Sequence, residues 1–220
     1  MPRNKLKRFA ENATSHNVIE PGKEEYAHMK GKWHEVIFKN DNPITLELGC
    51  GNGEYTVGLA NKFPQRNLIG VDIKGSRIWR GRMSADEHNL TNVGFLRTSI
   101  LDLENFFQKD EVGEIWITFP DPRPRLGDAK RRLTSERFQA IYKRILSEKG
   151  FLHLKTDDKP LYDFTLEVLD KLNANIVEST SDLYDSNFLD SHYGIQTTYE
   201  RRFLAENKKI CYIKYQFNYE

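Results

Sequence analysis

The 220-residue chain has only two cysteines, Cys50 and Cys211. That is too few for a disulfide framework or a cysteine metal cluster, and it points to a reducing compartment. No stretch approaches the roughly 18 consecutive apolar residues of a membrane span, and Met1 to Ala10 is basic without the apolar centre of a secretory signal. His28, His34, His153 and His192 stand at no metal-ligand spacing, so no metal is expected. Repeats and low-complexity tracts are missing. A formal net charge of only +1 excludes a polycation that binds nucleic acid through bulk charge. These absences imply a soluble cytoplasmic protein that is free of membrane and metal.

What is present is the balance of a globular domain, 38% hydrophobic and 30% charged, with length for one sizeable core. Charge placement is more informative than its sum. Arg3, Lys5, Lys7 and Arg8 form one basic cluster, and Arg201, Arg202, Lys208 and Lys209 another. The third follows an apolar run: Ile115-Trp116-Ile117-Thr118-Phe119 stops at Pro120-Asp121-Pro122-Arg123-Pro124-Arg125, and Lys130-Arg131-Arg132 comes soon after. The run reads as a buried strand that the prolines terminate. Asp121 therefore stands just beyond a strand end, beside a loop able to bind phosphates. In open α/β sheets that is where ligands sit.

Residues 1–22 lack apolar periodicity and are expected to form a flexible basic arm, leaving 23–220 as a single domain. Tyr26, Met29, Trp33, Val36 and Ile37 suggest an amphipathic helix over 24–38. Beyond Asn42-Pro43 strands and helices alternate. The patterns predict strands at 44–48, 68–72, 93–97, 114–119, 150–155, 174–179 and 209–217, and helices at 53–63, 76–89, 134–147 and 159–173. Thr134 or Ser135 can cap the third of these helices. Such alternation implies a mostly parallel, Rossmann-like, seven-stranded sheet with helices on both faces. The last strand follows a loop instead of a helix, so it is expected to run antiparallel.

The first strand leads into Glu47-Leu48-Gly49-Cys50-Gly51-Asn52-Gly53. Glycines let such a turn approach a ligand and open a helix whose amino end favours negative charge. Nicotinamide and flavin enzymes also use Gly-rich turns, and a purely structural turn is a further alternative. Two features favour a sulfonium methyl donor. Glu47 would repel a pyrophosphate yet suit a cation, and Gly49, Gly51 and Gly53 give G-x-G-x-G instead of G-x-G-x-x-G. Asp72, ending the second strand, is placed to accept from ribose hydroxyls. A third contact is expected near Ser99, with Asp102 as the alternative.

The spacing of acid, glycines and second acid resembles the class I S-adenosylmethionine-dependent methyltransferases. Phe119-Pro120-Asp121-Pro122 with Lys130-Arg131-Arg132-Leu133-Thr134, then Thr156-Asp157, then Thr197-Thr198-Tyr199-Glu200, resembles the bacterial tRNA (guanine-N7-)-methyltransferase family from about residue 30 onward. The resemblance implies a class I fold and methylation of the variable-loop guanine at tRNA position 46, with S-adenosyl-L-methionine as donor and tRNA as partner. It places Glu47, Asp72, Ser99 and Asp121 at the donor, with Asp121 as the catalytic residue. It places Arg125, Asp157, Thr197 and Glu200 at the RNA substrate. Arg123 stands where the family usually has Trp, and Ser99 where it usually has an acid or amide.

Guanine N7 carries a lone pair and no proton, so its attack on a methyl needs alignment and no general base. Asp121, Asp157 or Glu200 could orient the base by accepting from guanine N1–H and the exocyclic amine. Arg123, Arg125, Lys130, Arg131 and Arg132 are expected on phosphates. Each acid also has a plainer use: Asp121 in a turn, Asp157 as a helix cap beside Asp158, and Thr197 to Glu200 in a loop bonding to itself. A methyltransferase of another RNA and a non-catalytic RNA-binding subunit remain alternatives, and the chain is expected as a monomer or homodimer.

Overall fold

A computed structural model describes residues 3–219; Met1, Pro2 and Glu220 lie outside it. Its centre is the expected, mostly parallel sheet. The strands are β1 (Val18–Ile19), β2 (Ile44–Leu48), β3 (Asn67–Asp72), β4 (Val93–Arg97), β5 (Val112–Thr118), β6 (Leu146–Thr156), β7 (Asn175–Thr180) and β8 (Cys211–Gln216). Their order is β1-β4-β3-β2-β5-β6-β8-β7. β8 lies antiparallel between β6 and β7, as its loop connection implied.

Side chains alternate between the two faces of the sheet. Leu46, Ile69, Val71, Leu96, Ile115, Ile117 and Ile213 build one core layer, while Leu68, Phe95, Trp116 and Tyr212 build the other. The helices covering these layers are α2 (Glu54–Lys62), α3 (Gly75–Glu87), α4 (Glu136–Ile145) and α5 (Lys159–Lys171), joined by a short α6 (Thr198–Ala205). α2, α4 and α5 fall within predicted segments and α3 starts one residue before its own; all four end one or two residues short of the predicted end. The cap of α4 differs: Ser135 precedes it, but its hydroxyl donates to the Lys130 carbonyl, and Thr134 is buried against Thr165.

The chain runs from β2 outward to β3 and β4, then crosses back so that β5 lies on the other side of β2. The β2/β5 boundary is therefore the point where strand order reverses, and a crevice opens there beyond the strand ends.

Two expectations fail at the N-terminal side. Residues 3–14 form a helix, α1 (Arg3–Thr14), that packs on α3, and β1 adds an eighth strand beside β4. Asn12 is fully buried and donates through Nδ2 to the Gly75 carbonyl at 2.8 Å. Trp79 donates to Glu11, and the Arg8 guanidinium lies 4.7 Å over the Trp79 ring. This docking uses polar groups, cation stems and one ring, Phe9, which packs beside Gly75, while Leu6 stays exposed. The expected helix over 24–38 is replaced by a 3-10 turn at Glu24–Ala27 and a single π turn at His34–Phe38. Gly31, at φ +73°, turns the chain between them. Met29 and Trp33 are nonetheless fully buried, and Trp33 stacks on Phe107 at 5.3 Å.

Asn12→Ala should weaken α1 docking by about 1–3 kcal/mol, because a buried carbonyl loses its donor. Hydrogen exchange should then accelerate across 3–14 while β2 to β5 keep their protection. Unchanged exchange in that helix would show that the bond is dispensable.

Candidate active site

The loop after β2 is set by left-handed backbone: Gly49, Gly51 and Gly53 have φ of +73°, +55° and +71°. A Cβ on Gly53 would lie 2.9 Å from both the Gly81 Cα and the Phe95 ring, so this position admits nothing larger. The amides of Gly49 and Cys50 donate to the Val71 carbonyl, which anchors the loop on β3. Asp72 holds the same loop from its far side. Its Oδ2 accepts from Gly51 N at 3.0 Å and its Oδ1 from Lys74 N at 2.8 Å.

Glu47 lies at the floor of the crevice and is only 2% exposed. Oε2 accepts from Thr56 N at 2.8 Å and from the Thr56 hydroxyl, and Oε1 accepts from the Thr118 hydroxyl at 2.7 Å. One carboxylate thus joins β2, the first turn of α2 and the end of β5. It also satisfies a helix amide that the Gly53 cap leaves without a side-chain partner. Burial pushes the Glu47 carboxyl up to about 7 against the hydrogen bonds that favour its ionised form.

A cleft of about 610 Å³ lies above this carboxylate, lined by Glu47, Gly51, Thr118, Asp121, Thr197 and Tyr199 among others. A second hollow of about 430 Å³ shares Gly49 with it and is lined by Asp72, Ile73, Ser99, Ile100, Leu101 and Phe138 among others. Both fall in the size range of small-ligand sites. Ser99 accepts from Leu101 N at 3.2 Å, capping a 3-10 turn. Asp102 lines neither hollow.

Beyond β5 the backbone is unusual. Phe119 and Arg123, both non-glycine, adopt φ of +48° and +49°, a conformation rare for bulky side chains. Between these reversals Asp121 projects onto the cleft rim, 65% exposed, with Arg123 Nε 3.1 Å from its Oδ2. Arg123 N also donates to it at 3.2 Å, so the aspartate closes its own turn while facing the cleft. Arg125, Lys130 and Arg131 are exposed on the following 3-10 turn. Arg132 is not: it is nine-tenths buried, bonds the Arg123 carbonyl through Nε and Nη2, and lies 4.3 Å over Phe164. It braces the loop, with its guanidinium turned to the Arg123 carbonyl and the Phe164 ring instead of to solvent.

The residues expected at the RNA substrate divide. Thr197 lines the cleft and caps α6 by accepting from Glu200 N. Asp157 lines neither hollow and pairs with Lys208 at 3.3 Å. The adjacent Asp158 is the helix cap, accepting from Leu161 N at 2.7 Å. Glu200 points inward. It and Lys155 are both 0% exposed, 2.7 Å apart, and the Tyr184 hydroxyl donates to the same carboxylate at 3.0 Å. Burial lowers the Lys155 pKa, opposed by Glu200. Burial and the neighbouring Lys155 hold His192, 3.3 Å away, below the ordinary imidazole value.

The sequence reading missed this Lys155–Glu200 pair, and it also missed Glu54, whose carboxylate accepts from Thr198 N and its hydroxyl to tie α6 to α2. Lys74, Arg77 and Arg80, which line the larger cleft from α3, went unnoticed too. Their three-residue spacing was the available signal.

A family model described as "Putative methyltransferase" matches residues 41–213. A tRNA (guanine-N(7)-)-methyltransferase of Cytophaga hutchinsonii is 51% identical, covering 99% of this chain and 99% of its own. The chain belongs to the tRNA (guanine-N(7)-)-methyltransferase family. Another member of this methyltransferase family, from Bacteroides fragilis, is 44% identical over 98% of this chain and 86% of its own. One from Listeria monocytogenes is 34% identical over 86% and 87%. Among solved structures, the 16S rRNA methyltransferase KamB superposes with a TM-score of 0.62 at 13% identity, covering 93% of this chain and all of that one. The geranyl diphosphate C-methyltransferase of Streptomyces coelicolor, crystallised with S-adenosyl-L-homocysteine, gives 0.54 at 14% identity, covering 94% and 85%. Both share the fold with this methyltransferase-family chain.

Lys155→Met should cost about 3–5 kcal/mol by stranding a buried carboxylate, and Glu200→Leu added to it should restore a large part. Urea denaturation of the single and double variants decides this; a single variant as stable as the parent would dissolve the pair's importance. A second test concerns Glu47. Its raised pKa means that folding stability is fullest below the ordinary carboxylate value and falls as pH rises through about 7. Glu47→Gln lacks that titration, so its melting temperature should improve relative to the parent between about pH 5 and about pH 8. A pH-independent difference would contradict the buried, proton-binding carboxylate.

Proposed function

We propose that this protein transfers the methyl group of S-adenosyl-L-methionine to N7 of a guanine in tRNA, the variable-loop guanine at position 46. The observation that carries the reading is the meeting of two sites at one rim. Glu47 and Asp121 line one cleft, and Asp72 and Ser99 line the hollow that joins it at Gly49.

The residues fit the donor. The second hollow offers Ile73, Ile100 and Leu101 to an adenine face, with the Asp72 carboxylate at its edge for ribose hydroxyls. The glycine loop lets backbone approach without side chains. Glu47, whose burial favours a proton, would release that proton to solvent when a cation binds beside it. These features also disfavour a nicotinamide, whose pyrophosphate would meet Glu47 across the loop. When bound, S-adenosyl-L-methionine supplies an electrophilic methyl on a sulfonium.

The chain's own groups then do two things. Asp121, exposed on the rim, accepts from guanine N1–H and the exocyclic amine, fixing N7 toward the methyl. That contact strengthens as the ring becomes cationic, which stabilises the transition state more than the ground state. The Thr197 hydroxyl, already accepting from Glu200 N, keeps its own proton to donate into the cleft. Glu200, buried on Lys155, and Asp157, outside the cleft on Lys208, leave orientation to Asp121, which lines the cleft beside Arg123. Arg123, Arg125, Lys130 and Arg131 bind phosphates and bring affinity without base readout. The target base swings out of the folded tRNA to reach the cleft. The enzyme acts in the cytoplasm as a monomer or homodimer.

The purified protein should label unmodified tRNA from a labelled donor, with the label located by cleavage at N7-methylguanine. Asp121→Ala should lower turnover about 10²–10³-fold, the usual loss for one preorganised charge-stabilising contact, with donor affinity nearly unchanged. Near-normal product from that variant would remove Asp121 from catalysis.

A further inference from the structure

The charges around the larger cleft are unevenly matched. Its acids already have partners: Glu47 accepts hydrogen bonds from Thr56 and Thr118, Glu54 from Thr198, and Asp121 pairs with Arg123. The three cations on its α3 wall are not. Lys74, Arg77 and Arg80 all line the cleft and are exposed. Among the described residues, none of them lies within 4.0 Å of a carboxylate oxygen. The next arginine on the helix, Arg82, is spoken for by Asp86 at 2.7 Å and Glu11 at 3.7 Å. Arg97 is paired with Glu20 at 3.3 Å. Leaving three like charges unpaired and adjacent costs repulsion, which an external polyanion would relieve.

Their position says which polyanion. Arg77 and Arg80, at i and i+3, are helix-surface neighbours about 5–6 Å apart at Cβ, and Lys74 continues the row at the amino end of α3. The row lines the cleft that contains Asp121, whose lining also includes Tyr199 and Arg202 of α6. The exposed cations of the post-β5 loop, Lys130 and Arg131, line the neighbouring hollow. We infer that Lys74, Arg77 and Arg80 form a second phosphate-binding rim, so that the RNA strand flanking the target base is held on α3 as well as on the post-β5 loop. This rests on the proposed methylation of tRNA and adds to it a path for the backbone. One competing use of the same cations is to hold the carboxylate of the methyl donor.

The test is a triple variant, Lys74→Ala with Arg77→Ala and Arg80→Ala, and a charge-reversed Arg77→Glu as an independent check. Binding of unmodified tRNA without donor is measured by fluorescence anisotropy across a salt series, and donor binding by calorimetry. Each lost phosphate contact should flatten the log–log salt slope by about 0.7–0.9, so the triple variant should lose about two units. tRNA affinity should fall at least about tenfold at physiological salt, with donor affinity unchanged. Lys109→Ala, at the opposite end of β5, should leave the slope as it is. An unchanged slope in the triple variant overturns the inference, as does a loss of donor affinity that leaves tRNA binding intact. If the parent binds tRNA with a slope that the triple variant flattens but forms no N7-methylguanine, the proposed reaction fails and the second rim stands.

Discussion

A single buried carboxylate holds the centre of this molecule together. Glu47 sits where strand order reverses, and its two oxygens take hydrogen bonds from the first turn of α2 and from the last residue of β5. Without it the α2 amide and the Thr118 hydroxyl would be left unsatisfied in a site with almost no solvent access. The acid is costly to bury, which is why its pKa rises. The same property makes it a receptive neighbour for a cation. Architecture and chemistry thus draw on one group.

The rest of the site is arranged by pairs that cross long stretches of sequence. Glu54 fastens the start of α6, and the Lys155–Glu200 pair fastens its first turn from beneath. Thr197 and Tyr199 consequently face the cleft, although they come from a segment far from the glycine loop in sequence. Phe119 and Arg123 accept strained backbone so that Asp121 can project between them. Such strain persists only where surrounding structure over-determines it, and here the Lys155 carbonyl accepting from Phe119 N contributes to that hold.

Much of this was legible along the chain. Strands 44–48 and 93–97 match β2 and β4, because short segments rich in apolar residues and bounded by polar turns have few other uses. The G-x-G-x-G loop and the proline-flanked Asp121 were legible because glycine and proline act on their own backbone. Arg132 and Glu200 misled for the opposite reason. A charged residue in a basic or polar segment looks available, and only Phe164 and Lys155, brought from elsewhere, show that each is buried. The N-terminal helix escaped notice because Asn12, Glu11 and Arg8 dock it through polar contacts that carry no periodic apolar signal.

By itself, then, the sequence determined the alternation of strands and helices, the reversal of the last strand, the glycine turn and the acid beyond β5. Each depends on residues within a few positions of one another, where backbone preference and apolar period decide. Only the tertiary structure decided which charges remain free. Glu200 and Arg132 are buried against distant partners, and Asp157 pairs with Lys208 outside the cleft. Among the described residues Asp121 pairs only with its neighbour Arg123, and it lines the cleft together with the α3 cations. Whether an ionic group is spent or available depends on what the fold sets beside it, because a buried charge must be compensated and an exposed one need not be.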